Sequence, residues 1–208
     1  MKKITTLYKK DVNNLSRVIK EVNPENEWVF GSDVIATQKF DGSACMIKDC
    51  ILYKRYDAKK GREKPEYGIP CQEEDPITGH QPYWVLCYKR KPEDKYFCEA
   101  FEAMVDEDKK LPACFDSLDG TYELCGEKVE GNPEHIKGHK LLKHGSVVLD
   151  ISDYSFEGLK AYLSNPLNDI EGIVFHHTDG RMCKIRKSDF GIKRQHGMEE
   201  NSTIKVKL

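Results

Sequence analysis

Apolar positions in this chain recur with two periods, and each period predicts a different kind of element. Leu7, Val12, Leu15, Val18, Ile19 and Val22 return at helical spacing and stop at Asn23-Pro24, which predicts an N-terminal helix. Short β-branched and aromatic runs predict strands over Trp28–Phe30, Val34–Phe40, Ser43–Ile47 and Ile51–Lys54. Residues 57–82 are polar and rich in Lys, Glu, Gly and Pro, so they read as a long loop or lid. Helical spacing returns over Tyr96–Lys109, followed by strand-like Thr121–Cys125 and Gly145–Ile151. Phe156, Leu159, Tyr162 and Leu163 predict a second helix, closed by Asn165-Pro166. Two last strands, Ile170–His176 and Arg181–Ile185, flank the turn Thr178-Asp179-Gly180. Hairpin signals outnumber β-α-β signals, so the expected fold is α+β on antiparallel sheet, and the length of 208 residues predicts one domain over 1–208.

Composition narrows the function classes. A formal net charge of -2 with 33% charged residues argues against a large nonspecific nucleic-acid footprint, while leaving room for a local basic groove. Eight cysteines are scattered without a C-x-x-C, which favours reduced thiols over a disulfide framework or a zinc site. The first residues carry no apolar run long enough for a signal peptide, and no segment could span a bilayer; a cytoplasmic protein with no membrane partner is expected.

Lys39-Phe40-Asp41-Gly42 carries the strongest candidate chemistry. A lysine amine attacks phosphorus only when it is neutral and fixed, which calls for a partly desolvated pocket with other cations nearby. Asp41 holds the turn, and Gly42 permits close backbone approach to a nucleotide. The same four residues also suit an ordinary hairpin turn with an exposed lysine. In the last hairpin, a loop of two or four residues would put Glu171 on one sheet face with Lys184 and Arg186, and a three-residue loop would separate them. Such a set is either a cross-strand salt-bridge ladder or a polyanion site in which the carboxylate holds a divalent metal.

His176 and His177 are adjacent on a strand and point to opposite faces, so they cannot share a metal. His135 and His139 lie among Gly131-Asn132-Pro133 and Gly138, which argues for loop and against a zinc site. Lys59-Lys60-Gly61-Arg62 and Lys89-Arg90-Lys91 read as solvated surface or as contacts to nucleic-acid phosphates, and Phe101, Met104 and Val105 as core.

Taken in order, Lys39-Phe40-Asp41-Gly42, Tyr122–Gly126, Glu171–Phe175 and Lys184-Ile185-Arg186 resemble four motifs of the covalent nucleotidyltransferase superfamily of ATP-dependent ligases and mRNA capping enzymes. The closer resemblance is to the small vertebrate-type 5′–3′ RNA ligase family. It extends over about residues 36 to 192 and includes Gly79-His80, Trp84-Val85, Gly131-Asn132-Pro133, His144-Gly145, Ile170–Val174 and Asp179-Gly180. The resemblance implies a ligase adenylation domain of antiparallel sheets flanked by helices, joining RNA 5′-phosphate and 3′-hydroxyl ends with ATP. Lys39 would take AMP from ATP, Asp41 would orient it, and Gln38 and Gly42 would border the nucleotide. Arg55 would contact a phosphate, Glu123 the ribose hydroxyls, and Lys184 with Arg186 the α-phosphate. Glu171 would hold Mg2+ or Mn2+.

Three features depart from the family pattern. The strand expected to carry an aromatic against adenine reads Val147-Val148-Leu149, which leaves Phe175 or Phe40 for that role. Arg186 stands where a second lysine is common. The sequence after Arg186 offers no room for an oligonucleotide-binding barrel, which fits RNA ligase better than DNA ligase or a capping guanylyltransferase. A non-catalytic nucleotide- or RNA-binding module is the remaining alternative.

Overall fold

A computed structural model describes residues 2–59, 61–107 and 118–194. It is an α+β structure of three sheets with few helices, and among the described residues no sheet closes into a barrel. The four-stranded sheet holds β1 (Thr5–Thr6), β4 (Val34–Lys39), β11 (Gly172–His177) and β12 (Met182–Arg186), in the order β1-β12-β11-β4. Its pairs are antiparallel except β1 with β12. The six-stranded sheet is antiparallel throughout. It takes β5 (Ser43–Lys48), β6 (Ile51–Ala58), β7 (Ile69–Pro70), β8 (Gln81–Leu86), β9 (Gly120–Gly126) and β10 (His139–Lys143), ordered β10-β9-β5-β6-β8-β7. A separate hairpin pairs β2 (Tyr8–Asp11) with β3 (Asn14–Val22).

Each large sheet buries one face in a core of its own. Ala36, Ile173, Phe175, Cys183 and Ile185 alternate onto the outer face of the four-stranded sheet and pack with Leu7 and Tyr8. Leu159 and Leu163 of helix α2 (Phe156–Ser164) complete that core. Cys45, Ile47, Leu52, Tyr122, Leu124 and Leu141 do the same for the six-stranded sheet, against helix α1 (Lys95–Glu107). Period-2 alternation then turns the intervening, more polar residues of both sheets toward a cleft between them.

Several predicted elements change. Residues 7–22 form a β-hairpin, not a helix. Two register irregularities break its alternation, and Val12 and Leu15, read as part of a helical stripe, are 87% and 72% exposed. The turn is set by Asp11 and Asn14, whose side chains accept from the backbone N–H of Asn13 (2.9 Å) and Ser16 (3.1 Å). Trp28–Phe30 lies in a 3-10 helix, Pro24–Phe30, with Asn23 as its N-cap and Pro24 in its first turn; the Asn-Pro pair opens a helix here and closes none. Residues 57–82 are not one loop, since β6 runs to Ala58, β7 lies within them and β8 starts at Gln81. Pro82 masks β8 in the sequence. Gly145–Ile151 is no strand but an extended segment on the edge of β4, through Gln38 N to Val147 O (2.9 Å) and Leu149 N to Ala36 O (2.8 Å). The end of the predicted helix at 108–109, Lys60 and Cys114 lie outside the described residues.

Candidate active site

Lys39 closes β4, and register places it opposite Gly172, with Thr37 opposite Val174 and Val174 opposite Lys184. Thr37, Lys39, Val174, Lys184 and Arg186 therefore share the cleft face. The hairpin loop has three residues, 178–180, as Val174↔Lys184 requires and as the His177 N to Arg181 O bond closes it. By pleat alone Glu171 then falls on the other face, so the condition for sheet-face sharing fails. Glu171 precedes the strand, however, and its Oε2 still meets Lys39 Nζ in an ion pair.

Charge is concentrated around that pair. Lys39 Nζ also donates to the Phe40 carbonyl at 3.3 Å. Burial pushes the Glu171 carboxyl above its ordinary value, with Lys39 opposing. Lys184 is pushed down to about 8 by burial first, then by the nearby Lys39 and Arg186 charges. Among the described residues Lys184 has no carboxylate at ion-pair distance. Arg186 is held from behind by buried Asp189 (Nη2 to Oδ1, 3.1 Å), which also takes Lys10 Nζ at 2.6 Å.

The opposite wall comes from the six-stranded sheet. Glu123 is nearly buried on β9, and His144 reaches across to it, with Nε2 to Oε2 at 2.8 Å and Nδ1 to Thr121 Oγ1 at 3.0 Å. Between the walls lies a cleft of about 450 Å3 lined by residues that include Thr37, Lys39, Phe40, Glu123, His144 and His176. Thr37 Oγ1 and His176 Nε2 are 2.9 Å apart, and burial, then His144, hold His176 below its ordinary pKa, favouring the neutral ring.

A clamp outside the cleft fixes the turn after Lys39. Glu134 accepts from Gln38 Nε2 (3.0 Å), the Asp41 backbone N–H (2.9 Å) and Arg194 Nη1 (2.8 Å). Arg194 also binds Asp169, through Nε to Oδ1 at 3.2 Å and Nη2 to the carbonyl at 2.8 Å. The Asp41 carboxylate faces Arg194 Nη1 at 3.7 Å. Gly42 packs against β9: a Cβ there would lie 2.2 Å from Leu124 O. Its small size thus joins the two sheets at the motif.

Neither a family model nor a curated protein matches this chain.

The remaining site candidates divide. Register places Ala44 opposite Glu123 and Met46 opposite both Thr121 and Tyr53. Arg55 therefore stands on Glu123's sheet face, two strands away, with Nε on Asp57 Oδ1 at 2.9 Å. It does not line the cleft. Phe175 is excluded from stacking on a base because it is fully buried in the core against Tyr154. Phe40 lines the cleft instead. His177 packs edge-on against Trp28, His139 stacks on Tyr96, and His135 faces Asp169. Phe101, Met104 and Val105 pack on the second core. Thr37, Glu134, Asp169 and Arg194 were absent from the sequence reading, and His176 entered it only as a rejected metal ligand. Only Glu134 carries a local signal, following the tight turn in which Glu130, Gly131 and Asn132 have positive φ. No group of three or more His, Cys, Asp or Glu side chains converges among the described residues, and no helix among them is long and apolar enough to cross a membrane.

Proposed function

We propose that this protein is an ATP-dependent RNA ligase that works through AMP linked to Lys39. The observation that carries the reading is one amine, Lys39 Nζ, that is paired with the Glu171 carboxylate, shares its sheet face with two further cations, Lys184 and Arg186, and lines a cleft that Glu123 also walls. An ion-paired ammonium has no lone pair. Attack on the α-phosphorus of ATP therefore requires Nζ to pass a proton to solvent through Glu171 Oε2, whose burial favours taking it. Nζ then bonds phosphorus, gives up a second proton to solvent, and pyrophosphate leaves. Lys184 and Arg186 stabilise the charge that builds on the phosphate oxygens.

The lining of the cleft suits a nucleoside, with Phe40 as an aromatic wall and Glu123, fixed by His144, as acceptor for ribose hydroxyls. Glu171 is the carboxylate that would hold Mg2+ or Mn2+; one carboxylate plus substrate phosphates is a common shell for Mg2+. Such an ion would supply neutralisation of phosphate charge. The later steps are transfer of AMP to an RNA 5′-phosphate and displacement of AMP by a 3′-hydroxyl. Cys45, Cys71, Cys87, Cys98, Cys125 and Cys183 are free thiols, which supports a cytoplasmic setting.

The test uses ATP or GTP radiolabelled at the α-phosphate, with Mg2+, followed by denaturation of the protein. Label from ATP that disappears in Lys39→Ala is expected. Absence of any adduct, or an adduct that survives Lys39→Ala, sinks the reading; a GTP-only adduct replaces it with a capping guanylyltransferase.

A further inference from the structure

The Lys39–Glu171 pair has space on both sides. On one side is the nucleoside cleft. On the other is an open groove of about 1,100 Å3 whose lining includes Arg17, Asp41, Glu171, Lys187, Lys193 and Arg194. Its two carboxylates are matched, Glu171 by Lys39 and Asp41 by Arg194, whereas Arg17, Lys187 and Lys193 have no carboxylate at ion-pair distance among the described residues, which leaves the groove locally positive. The β2–β3 hairpin forms one wall and the segment from Lys187 to Arg194 the other.

Two of these cations are set in place. Arg17 Nη1 donates to Ser188 O at 3.1 Å, and its guanidinium lies so close over Gly191 that a Cβ there would be 2.2 Å from Nη1. Lys187 is only 6% exposed, burial lowers its pKa, and among the described residues it has no carboxylate at ion-pair distance. A buried lysine that lines a groove, with Asp169 near but outside ion-pair distance, is a site for an external anion. The same hairpin that lends Ser16 and Arg17 to the groove carries Val12 and Leu15 at its tip, both strongly exposed. Apolar groups beside a cationic track suit a strand that has both bases and phosphates.

We propose that this groove seats the 5′-phosphorylated RNA strand that accepts AMP, with Arg17 and Lys187 on its terminal phosphates, Lys193 along the backbone and the hairpin tip against its bases. The assignment rests on the ligase reading above, in which the nucleoside fills the cleft and the acceptor must come from elsewhere. In the transfer step a 5′-phosphate oxygen bonds the α-phosphorus held on Lys39. The P–N bond breaks, its electron pair returns to Nζ, and Nζ takes two protons from solvent to become the ammonium that re-forms the ion pair with Glu171.

The experiment loads the full-length protein with labelled AMP, removes ATP, adds 5′-phosphorylated RNA and measures transfer per loaded Lys39. Lys193→Glu is exposed and so spares the core; Arg17→Ala removes a seated contact, and Arg17→Lys retains its charge. Transfer about tenfold slower is expected in Lys193→Glu and Arg17→Ala, with partial recovery in Arg17→Lys. Binding of the phosphorylated strand to unloaded protein, followed by fluorescence anisotropy, should weaken with a salt slope shallower by about 0.7 to 1 per lost contact. Wild-type rates and salt slopes in Lys193→Glu and Arg17→Ala, on protein that does load AMP, overturn the groove and leave the ligase reading standing. Wild-type protein that never loads AMP removes both.

Discussion

Lys184 offers the most direct test, because its position is costly to the fold and essential to the proposed chemistry. Its amine moves from an ordinary 10.5 to about 8, a change caused first by burial and then by Lys39 and Arg186. That difference is roughly two and a half pH units, and at about 1.36 kcal/mol each it sets about 3 kcal/mol against the ammonium in the folded state. Lys184→Met keeps most of the volume and removes the charge. At pH 7 the variant is expected to be more stable by on the order of 1–3 kcal/mol in urea denaturation, while losing the Lys39 adduct. The pH dependence follows from linkage. Between about 8 and 10.5 the unfolded chain holds a proton on this lysine that the folded chain has released, so wild-type stability attributable to Lys184 rises through that window. Below it both states are protonated and the full cost is present. The gap between the two proteins should therefore narrow steadily from about pH 8 to 10.5. A variant less stable than wild type at pH 7, or parallel stability curves from pH 7 to 10, refutes the electrostatic account. A variant that forms the adduct at the wild-type rate refutes the catalytic one.

Two further substitutions test the scaffold around Lys39. Gly42→Ala places a Cβ 2.2 Å from the Leu124 carbonyl, a backbone atom with little freedom to retreat, and should lower stability by about 1–3 kcal/mol or more and depress adduct formation; an unchanged urea midpoint would mean the turn can slide away from β9. Glu134→Ala leaves Arg194, whose side chain is 8% exposed, with Asp169 and a distant Asp41, and should cost about 3 kcal/mol in the same assay. Glu134→Gln, which keeps an acceptor for the Asp41 N–H, should recover part of that loss, and a Gln variant as unstable as Ala would show that the charge alone matters.

Much of the strand framework was legible because its signals are local. β4, β5, β9, β11 and β12 each carry a β-branched or aromatic run bounded by turn residues, α1 and α2 each carry helical spacing, and α2 ends at the expected Asn165-Pro166. The hairpin at 8–22 was misread because its bulges imitate a helical period once Val12 and Leu15 are counted as core, which exposure shows they are not. β8 was missed because Pro82 sits in the strand, where proline usually argues against one.

At the site, residue type and spacing singled out Lys39, Glu171, Lys184 and Arg186, while Glu123 came only from the resemblance to the nucleotidyltransferase motifs. Their meeting in space was a matter for the fold. Parity along the three-residue hairpin separates Glu171 from Lys184, and only the chain's path ahead of β11 returns its carboxylate to Lys39. The clamp on the turn joins Gln38 and Asp41 to Glu134, and Glu134 to Arg194, bonds that span 96, 93 and 60 positions of sequence. No local period encodes such contacts. The sequence by itself determined which side chains could do the chemistry; burial, register and charge proximity, which exist only in the folded chain, decided which of them share one cleft and in what ionisation state.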